Sequence, residues 1–453
     1  MEGGHVEALI HFSGGVPEYI ELKDKETHVD GLWKKLCEAQ NSKSLMTTCI
    51  EAKSSIEIEK ELPNGLLLGH SYAITAVKLL PVNNKEHRLI RMTNPWRKKE
   101  WNGKWSKFSS EWNLVSSKQK QKMNFTTEEN GEFWISINDF LKEFSEIVIC
   151  HNLNTSWYNW LNSFKENSIY GYWRKPDRCG GCINNKIESF LANPQYRFDI
   201  IKQDGDDVVI CLTQKNKRSD WRRGFKNLHI GFFIMPIEFN RTLRVSSVDD
   251  EVYSVDTPLQ NSESIMLRVK LSFGRYCIIP HTFNKNQEGE FLLRIFTHKC
   301  SKLKELDNSL KLEMNKLFSI PPQCVTQILI KTGYNLKYSH YPSFIIISCE
   351  GEIVKSNLIV PQENPVWNVS AIFYRRNYQL YPITISLYAI ESFGIIKIEK
   401  YVGSVFLKAE PNDSTIGFQA SLSNIDNEEK IEMKIKRNLV NGIIKSMREP
   451  YVL

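Results

Sequence analysis

The chain lacks any run of some 18 uncharged apolar residues, so no transmembrane helix is expected and any membrane contact is peripheral. Its ten cysteines show no framework spacing, and the Met-Glu-Gly-Gly-His start has no apolar signal core behind it. A secreted disulfide scaffold is therefore excluded, and a reducing, cytoplasmic setting is expected. Charge of one sign is also scarce: the net +7 over 453 residues is mild, and basic residues are interleaved with acidic ones, so no nucleic acid is expected as partner. The densest basic stretch, Lys215, Lys217, Arg218, Arg222, Arg223 and Lys226, has Trp221 among its residues but no run of several aromatics. Without a stacking platform it reads as a solvated loop, with peripheral contact to acidic lipid as the alternative. No internal repeat and no low-complexity tract appears.

Hydrophobic residues at 41% and charged residues at 25% describe a chain that folds, and its length allows roughly three domains. The first 150 residues combine a helical pattern through Leu32, Trp33, Leu36 and Cys37 with alternating runs from Ser71 to Val77 and Leu89 to Thr93. That mixture predicts an α+β fold with a mainly antiparallel sheet. From Asn193 to Phe296 short β-rich runs take over, among them Val208 to Leu212, Ile230 to Met235 and Arg275 to Ile279, which predicts a β-sandwich. Residues 301 to 321 read as a charged connector ending on Pro321-Pro322. Beyond it, runs such as Val325 to Lys331, Ser343 to Ser348 and Ile383 to Tyr388 predict a second sandwich. The expected divisions are 1–150, 151–300, a linker at 301–321, and 322–446.

Chemistry concentrates in Gly69-His70-Ser71-Tyr72 and Thr93-Asn94-Pro95-Trp96, two strand-like runs joined through Asn83, Asn84 and Lys85. Antiparallel pairing would bring His70 to Asn94. A thiol protease needs an imidazole to move the thiol proton and a carboxamide to fix the ring's tautomer and orientation. Alone, such a pair reads more readily as a structural histidine at a strand end. Longer runs change that reading: Gly65-Leu66-Leu67-Leu68 before His70, Leu89-Ile90-Arg91-Met92 before Thr93, then Glu100-Trp101-Asn102-Gly103-Lys104-Trp105-Ser106, Ser110-Glu111-Trp112 and Gly131-Glu132-Phe133-Trp134. Together they resemble the second catalytic lobe of the calpain family of papain-like cysteine proteases.

The resemblance continues downstream. Asn193-Pro194-Gln195-Tyr196 and Ile279-Pro280-His281-Thr282-Phe283 are similar to the calpain C2-like sandwich, while Asn364-Pro365-Val366-Trp367-Asn368 and Tyr401-Val402-Gly403-Ser404-Val405 resemble a C2 domain. The implied fold is the second lobe of a papain-like protease followed by two all-β C2-type sandwiches, as in the atypical branch without EF-hands. The implied roles are general base for His70, orienting partner for Asn94, and cleft lining for Trp96. The implied activity is calcium-dependent intracellular limited proteolysis of protein substrates.

Departures from the family pattern shape the expectation. The family's Gly-x-Cys-Trp motif is absent; only Cys37 and Cys49 precede His70, and neither matches it. Glu2-Gly3-Gly4 resembles the junction between lobes, so the cysteine-bearing lobe is expected to be missing and this chain to be inactive by itself. Arg97 stands where the family has glycine. Calcium, the family's cofactor, would by position take Glu100, residue 107, Glu128, Asn130 and Glu132. Here Lys107 replaces an acidic ligand and Asn130 an aspartate, so calcium binding is expected to be weakened or lost. In the C2 domain the calcium loops near Tyr338 to Tyr341 and Ala389 to Gly394 offer only Glu391. Cys179-Gly180-Gly181-Cys182 has no second ligand pair and reads as a structural turn. The competing expectation is a catalytically inactive relative that works as a protein-binding scaffold.

Overall fold

The computed structural model describes residues 9–10, 12–23, 28–97, 99–128, 130–153, 164–215, 227–248, 254–299, 301–308, 322–377, 379–393, 396–407, 414–422 and 430–439. Glu2-Gly3-Gly4, Lys217 to Lys226 of the basic stretch, residues 309–321 of the expected connector and Gly394 lie outside the described residues. Two compact units divide the chain, Met1–Phe164 with Ser262–Leu267, and Lys165–Asn261 with Arg268–Leu453. Strand outweighs helix throughout the described residues.

In the first unit six strands form one sheet in the order β1-β6-β2-β3-β4-β5. They are β1 (Val16–Glu21), β2 (Leu45–Cys49), β3 (Ser71–Val82), β4 (Lys85–Thr93), β5 (Glu132–Ser136) and β6 (Glu146–His151), and every pairing is antiparallel. Leu32, Leu36 and Ala39 share one face of the helix Val29–Asn41 and are buried. They meet Tyr72, Ile90, Met92, Ile135, Phe140, Phe144 and Ile147 in the main core of this unit. Each fully buried Leu, Ile or Phe contributes about 1.5–3 kcal/mol relative to exposure. A smaller core stacks Trp112 on Phe125 at 4.1 Å and sets Trp105 edge-on to Trp112.

The β3–β4 hairpin sets the register of the unit. Asn83 and Asn84 carry φ values of 49° and 60°, the left-handed pair that a tight two-residue hairpin turn needs and that asparagine tolerates. Val82 therefore faces Lys85, and the ladder runs back to Ala73 opposite Thr93. Its register shifts between Ile74 and Ala76, leaving Thr75 as the extra residue. Thr75 Oγ1 donates to the Arg91 carbonyl at 3.3 Å and accepts from Arg91 Nε at 2.9 Å. The start of β3 and the end of β4 are thereby locked side by side.

The second unit contains two pairs of sheets. The first pair has the orders β11-β10-β13-β8-β15 and β12-β9-β14-β7. Its strands are β7 (Lys165–Trp173), β8 (Tyr196–Ile200), β9 (Asp206–Gln214), β10 (Ile230–Ile237), β11 (Val255–Asp256), β12 (Ser264–Leu271, of which the part from Arg268 onward belongs to this unit), β13 (Gly274–Thr282), β14 (Gly289–Thr297) and β15 (Lys304–Glu305). The second pair has the orders β19-β16-β23-β22 and β18-β17-β20-β21. Here the strands are β16 (Cys324–Tyr334), β17 (Ser343–Cys349), β18 (Glu352–Lys355), β19 (Val366–Arg375), β20 (Ile383–Phe393), β21 (Ile396–Leu407), β22 (Ser414–Ser421) and β23 (Lys430–Leu439). Inward residues of the latter two sheets, such as Ile328, Val369, Ile345 and Ile385, close a common core.

One sequence expectation shifts here. Lys304–Glu305, read as connector, pair with β8, and Leu306 behind them is buried. A two-residue edge strand with outward charges carries no alternation that periodicity could detect, although Leu306 plugs the core.

Between the two sandwiches of this unit lies a buried ion pair. Arg241 clasps Glu238 with Nε and, at 2.9 Å, Nη2, and Gln327 of β16 donates to Glu238 Oε1 at 2.6 Å. Beside it, Asn240 exchanges two hydrogen bonds with the Ile372 backbone, at 2.6 and 2.9 Å, and Phe239 N–H donates to the Ser370 carbonyl. Burial alone would push the Glu238 carboxyl up, yet the Arg241 charge and hydrogen bonds hold it below the usual carboxylate range. Its stabilising contribution is therefore present above the unfolded carboxylate pKa and is lost as pH falls through the lowered folded value. Glu238→Gln strands a buried guanidinium and is expected to cost about 3 kcal/mol at neutral pH, measured by denaturant unfolding. A loss below about 1 kcal/mol would contradict a desolvated pair.

Candidate active site

Glycine conformation presents the histidine. Gly69 adopts φ +63°, donates its N–H to the Ile50 carbonyl at 2.7 Å, and turns the chain so that β3 begins directly after His70. Asn94 follows the last residue of β4, and its N–H donates to the Gly131 carbonyl at 2.9 Å. The paired strand ends bring His70 Nε2 to 2.8 Å from Asn94 Oδ1. Asn94 is wholly buried and His70 nearly so.

The carboxamide has no freedom to turn. Its Nδ2 donates to the Lys99 carbonyl at 3.1 Å, and its Oδ1 accepts the Trp96 N–H at 3.0 Å. Oδ1 can therefore only accept from the imidazole, which fixes the proton on Nε2 and leaves Nδ1 as the basic nitrogen. Trp96 lies with its ring centroid 4.6 Å from that of His70 and remains 52% exposed, so one face of the indole covers the imidazole while the other meets solvent. Tyr72 stands edge-on to His70 from the core side at 5.2 Å. Its hydroxyl accepts the Leu67 N–H, and burial pushes its pKa up to about 12.

The two thiols that precede His70 are poor nucleophiles where they sit. Burial and the neighbouring Glu146 carboxylate push Cys49 well above the usual thiol range, and Cys49 Sγ donates to Glu146 at 3.1 Å. Burial raises Cys37 as well. Arg97 is exposed at φ +58°, and its N–H donates to the Asn94 carbonyl. A left-handed position of that kind favours glycine, so arginine there carries backbone strain of about 1 kcal/mol.

The expected calcium positions come together only in part. Glu100, the Glu128 carbonyl and Asn130 converge, whereas the Glu132 carboxylate lies 3.9 Å from Arg91. At their centre is the Lys107 ammonium, its side chain only 5% exposed. Among the described residues, no group of three or more His, Cys, Asp or Glu is arranged to hold a metal ion. In the last sandwich, Glu391 is paired with Lys400 at 2.9 Å, and that ammonium also lies 4.7 Å over the Tyr338 ring. The Cys179 to Cys182 turn is clamped by Asn193, which accepts from Gly180 N–H at 2.9 Å and donates to the Gly181 carbonyl at 2.7 Å.

Sequence reasoning missed the backbone groups that orient Asn94, the Lys99 and Gly131 carbonyls. The only available signal was the glycine of Gly131-Glu132-Phe133-Trp134. That residue sits at φ +85°, where a Cβ would come within 2.6 Å of the Asn94 carbonyl oxygen. Asn94→Ala removes the partners of Trp96 N–H and the Lys99 carbonyl together and is expected to cost about 2 kcal/mol in urea unfolding. Asn94→Asp, which turns an oxygen toward the Lys99 carbonyl, is expected to be similarly damaging. A cost below about 0.5 kcal/mol for both would mean that the carboxamide is not held.

The sequence has recognisable relatives among known proteins. The family model described as calpain family cysteine protease matches residues 1–151, and that described as calpain large subunit, domain III, matches residues 169–296. Calpain-5 of Mus musculus is 36% identical over 437 residues, covering 91% of this chain and 67% of the relative. Calpain-A of Drosophila melanogaster is 34% identical over 335 residues, covering 68% of this chain and 39% of the relative. A solved C2-type domain of plant extended synaptotagmin 1 aligns with 26% of this chain and 96% of its own at 18% identity and a TM-score of 0.23, too low to carry weight. By its sequence relationships over nearly its whole length, the chain belongs to the calpain family of cysteine proteases.

Proposed function

We propose that this chain supplies the histidine–asparagine half of a calpain-type endopeptidase centre acting on protein substrates in the cytoplasm. Residues 1–150 would be the second lobe of a papain-like catalytic domain, 151–300 extended to β15 a C2-like sandwich, and 322–446 a C2 domain. The observation that carries the reading is the 2.8 Å contact from His70 Nε2 to an Asn94 carboxamide whose other bonds leave only Oδ1 to face the ring. In this reading Nδ1 takes the proton of a cysteine thiol as the thiolate attacks the peptide carbonyl. It then returns the proton to the departing amine. Asn94 keeps the ring in the competent tautomer, and Trp96 screens the pair from water.

The nucleophile and the oxyanion donors would come from a cysteine-bearing lobe, because Cys37 and Cys49 have raised pKa values and no Gly-x-Cys-Trp motif occurs in the 453 residues. The chain by itself would be inactive. A second reading, a non-catalytic calpain relative that binds protein partners or acidic lipid through its β-domains, is favoured by the strained Arg97 beside Asn94 and by the lysine in the expected calcium site.

The test mixes the whole chain with a calpain first lobe and follows cleavage of an unstructured protein. Cleavage that falls by about a hundredfold or more in His70→Ala is the expected result. Activity no greater than that of the first lobe alone, or indifferent to His70→Ala, would favour the scaffold reading.

A further inference from the structure

The Lys107 ammonium has three N–H donors, and all three are used. It donates to Glu100 Oε1 at 2.8 Å, to Asn130 Oδ1 at 3.2 Å and to the Glu128 carbonyl. These acceptors belong to two separate loops, and each side-chain acceptor also orders the backbone beside it. Glu100 Oε1 accepts the Gly131 N–H at 2.8 Å, and Asn130 Oδ1 accepts the Glu132 N–H at 3.0 Å. Gly131 in turn accepts the Asn94 N–H through its carbonyl. A chain of direct contacts thus runs from the ammonium through Glu100 and Gly131 to the residue that orients His70.

Calcium does not fit this donor set. The ion takes six to eight oxygens, commonly with several carboxylates. Here one carboxylate, one carboxamide and one carbonyl converge, and the single negative charge is already matched by the lysine. Displacing a buried ammonium would leave it without the three oxygens that compensate its desolvation. In the last sandwich a lysine likewise occupies an expected ligand, Lys400 pairing with Glu391 in a more open setting.

We propose that Lys107 is a tethered cation that holds the 100–107 and 128–132 loops permanently, as a bound divalent ion would do reversibly, and so positions Asn94 without calcium. Lys107 is a positioning residue, since it reaches the histidine only through Gly131 and Asn94. That last link rests on the active-site reading above, whereas the cation substitution does not.

Hydrogen exchange of segments 94–107 and 128–135 and thermal unfolding of the full chain, in chelator and in about 5 mM calcium, test it, since even weak oxygen-cage sites fill at that level. Wild type is expected to show the same exchange and midpoint in both conditions. Lys107→Gln is expected to exchange about tenfold faster in both segments, in either condition. Lys107→Glu is expected to unfold at lower temperature in chelator and to regain about 3 °C or more with calcium, because a second carboxylate reopens the site to the ion. Calcium-dependent protection in wild type, or Lys107→Gln exchanging like wild type, would overturn the proposal. So would a folded Lys107→Glu indifferent to calcium. If Lys107→Glu does not fold, wild type and Lys107→Gln still decide. No cleavage is measured, so failure here is distinguishable from failure of the protease reading.

Discussion

Everything at the site depends on one buried carboxamide that is held at both its oxygen and its nitrogen. Asn94 is wholly buried, its backbone N–H is taken by Gly131, its Nδ2 by the Lys99 carbonyl, and its Oδ1 is shared between Trp96 N–H and His70 Nε2. A buried amide with an unmet donor or acceptor is costly, so each bond enforces the others. The imidazole receives its tautomer from this arrangement as an input. The hairpin through Asn83 and Asn84 matters for the same reason: it fixes the register that delivers the ends of β3 and β4 to each other.

A second constraint is a pair of fixed cations. Lys107 saturates three oxygens inside the lobe, and Lys400 covers Glu391 in the last sandwich. Lys107 stands where the family resemblance implies an acidic calcium ligand, and Lys400 pairs with Glu391, the one carboxylate of the loops where the resemblance implies calcium in a C2 domain. An ion can leave when its concentration falls, but an ammonium on its own side chain cannot. If Lys107 is the tethered cation proposed above, the proposed catalytic half would have its order set during folding, not by a signal.

Much of the first unit was legible in the sequence because its signals are local. Leu32 and Leu36 recur at helical spacing, the runs from Ser71 and Leu89 alternate, and the His70 and Asn94 segments carry enough flanking residues to mark the family. What could not be read was direction. Lys107 was visible as a departure from an acidic pattern, but only geometry reveals that its ammonium enters the oxygen cage. Glu132, by contrast, looked like a ligand yet turns to Arg91. The backbone carbonyls of Lys99 and Gly131 have no side-chain signature, so their role at Asn94 left no trace beyond one glycine. Lys304–Glu305 read as connector because a short edge strand with outward charges has no period to detect.

The His70–Asn94 pair is proposed to be organised in advance, independent of calcium. Nitrogen-15 NMR of histidine-labelled protein measures it directly, with the His70 resonances assigned by loss in His70→Gln. The Nε2–H tautomer is expected in chelator, with a slowly exchanging ring proton, and no change when calcium is added. A mixture of tautomers in chelator that resolves into Nε2–H only with calcium would contradict it.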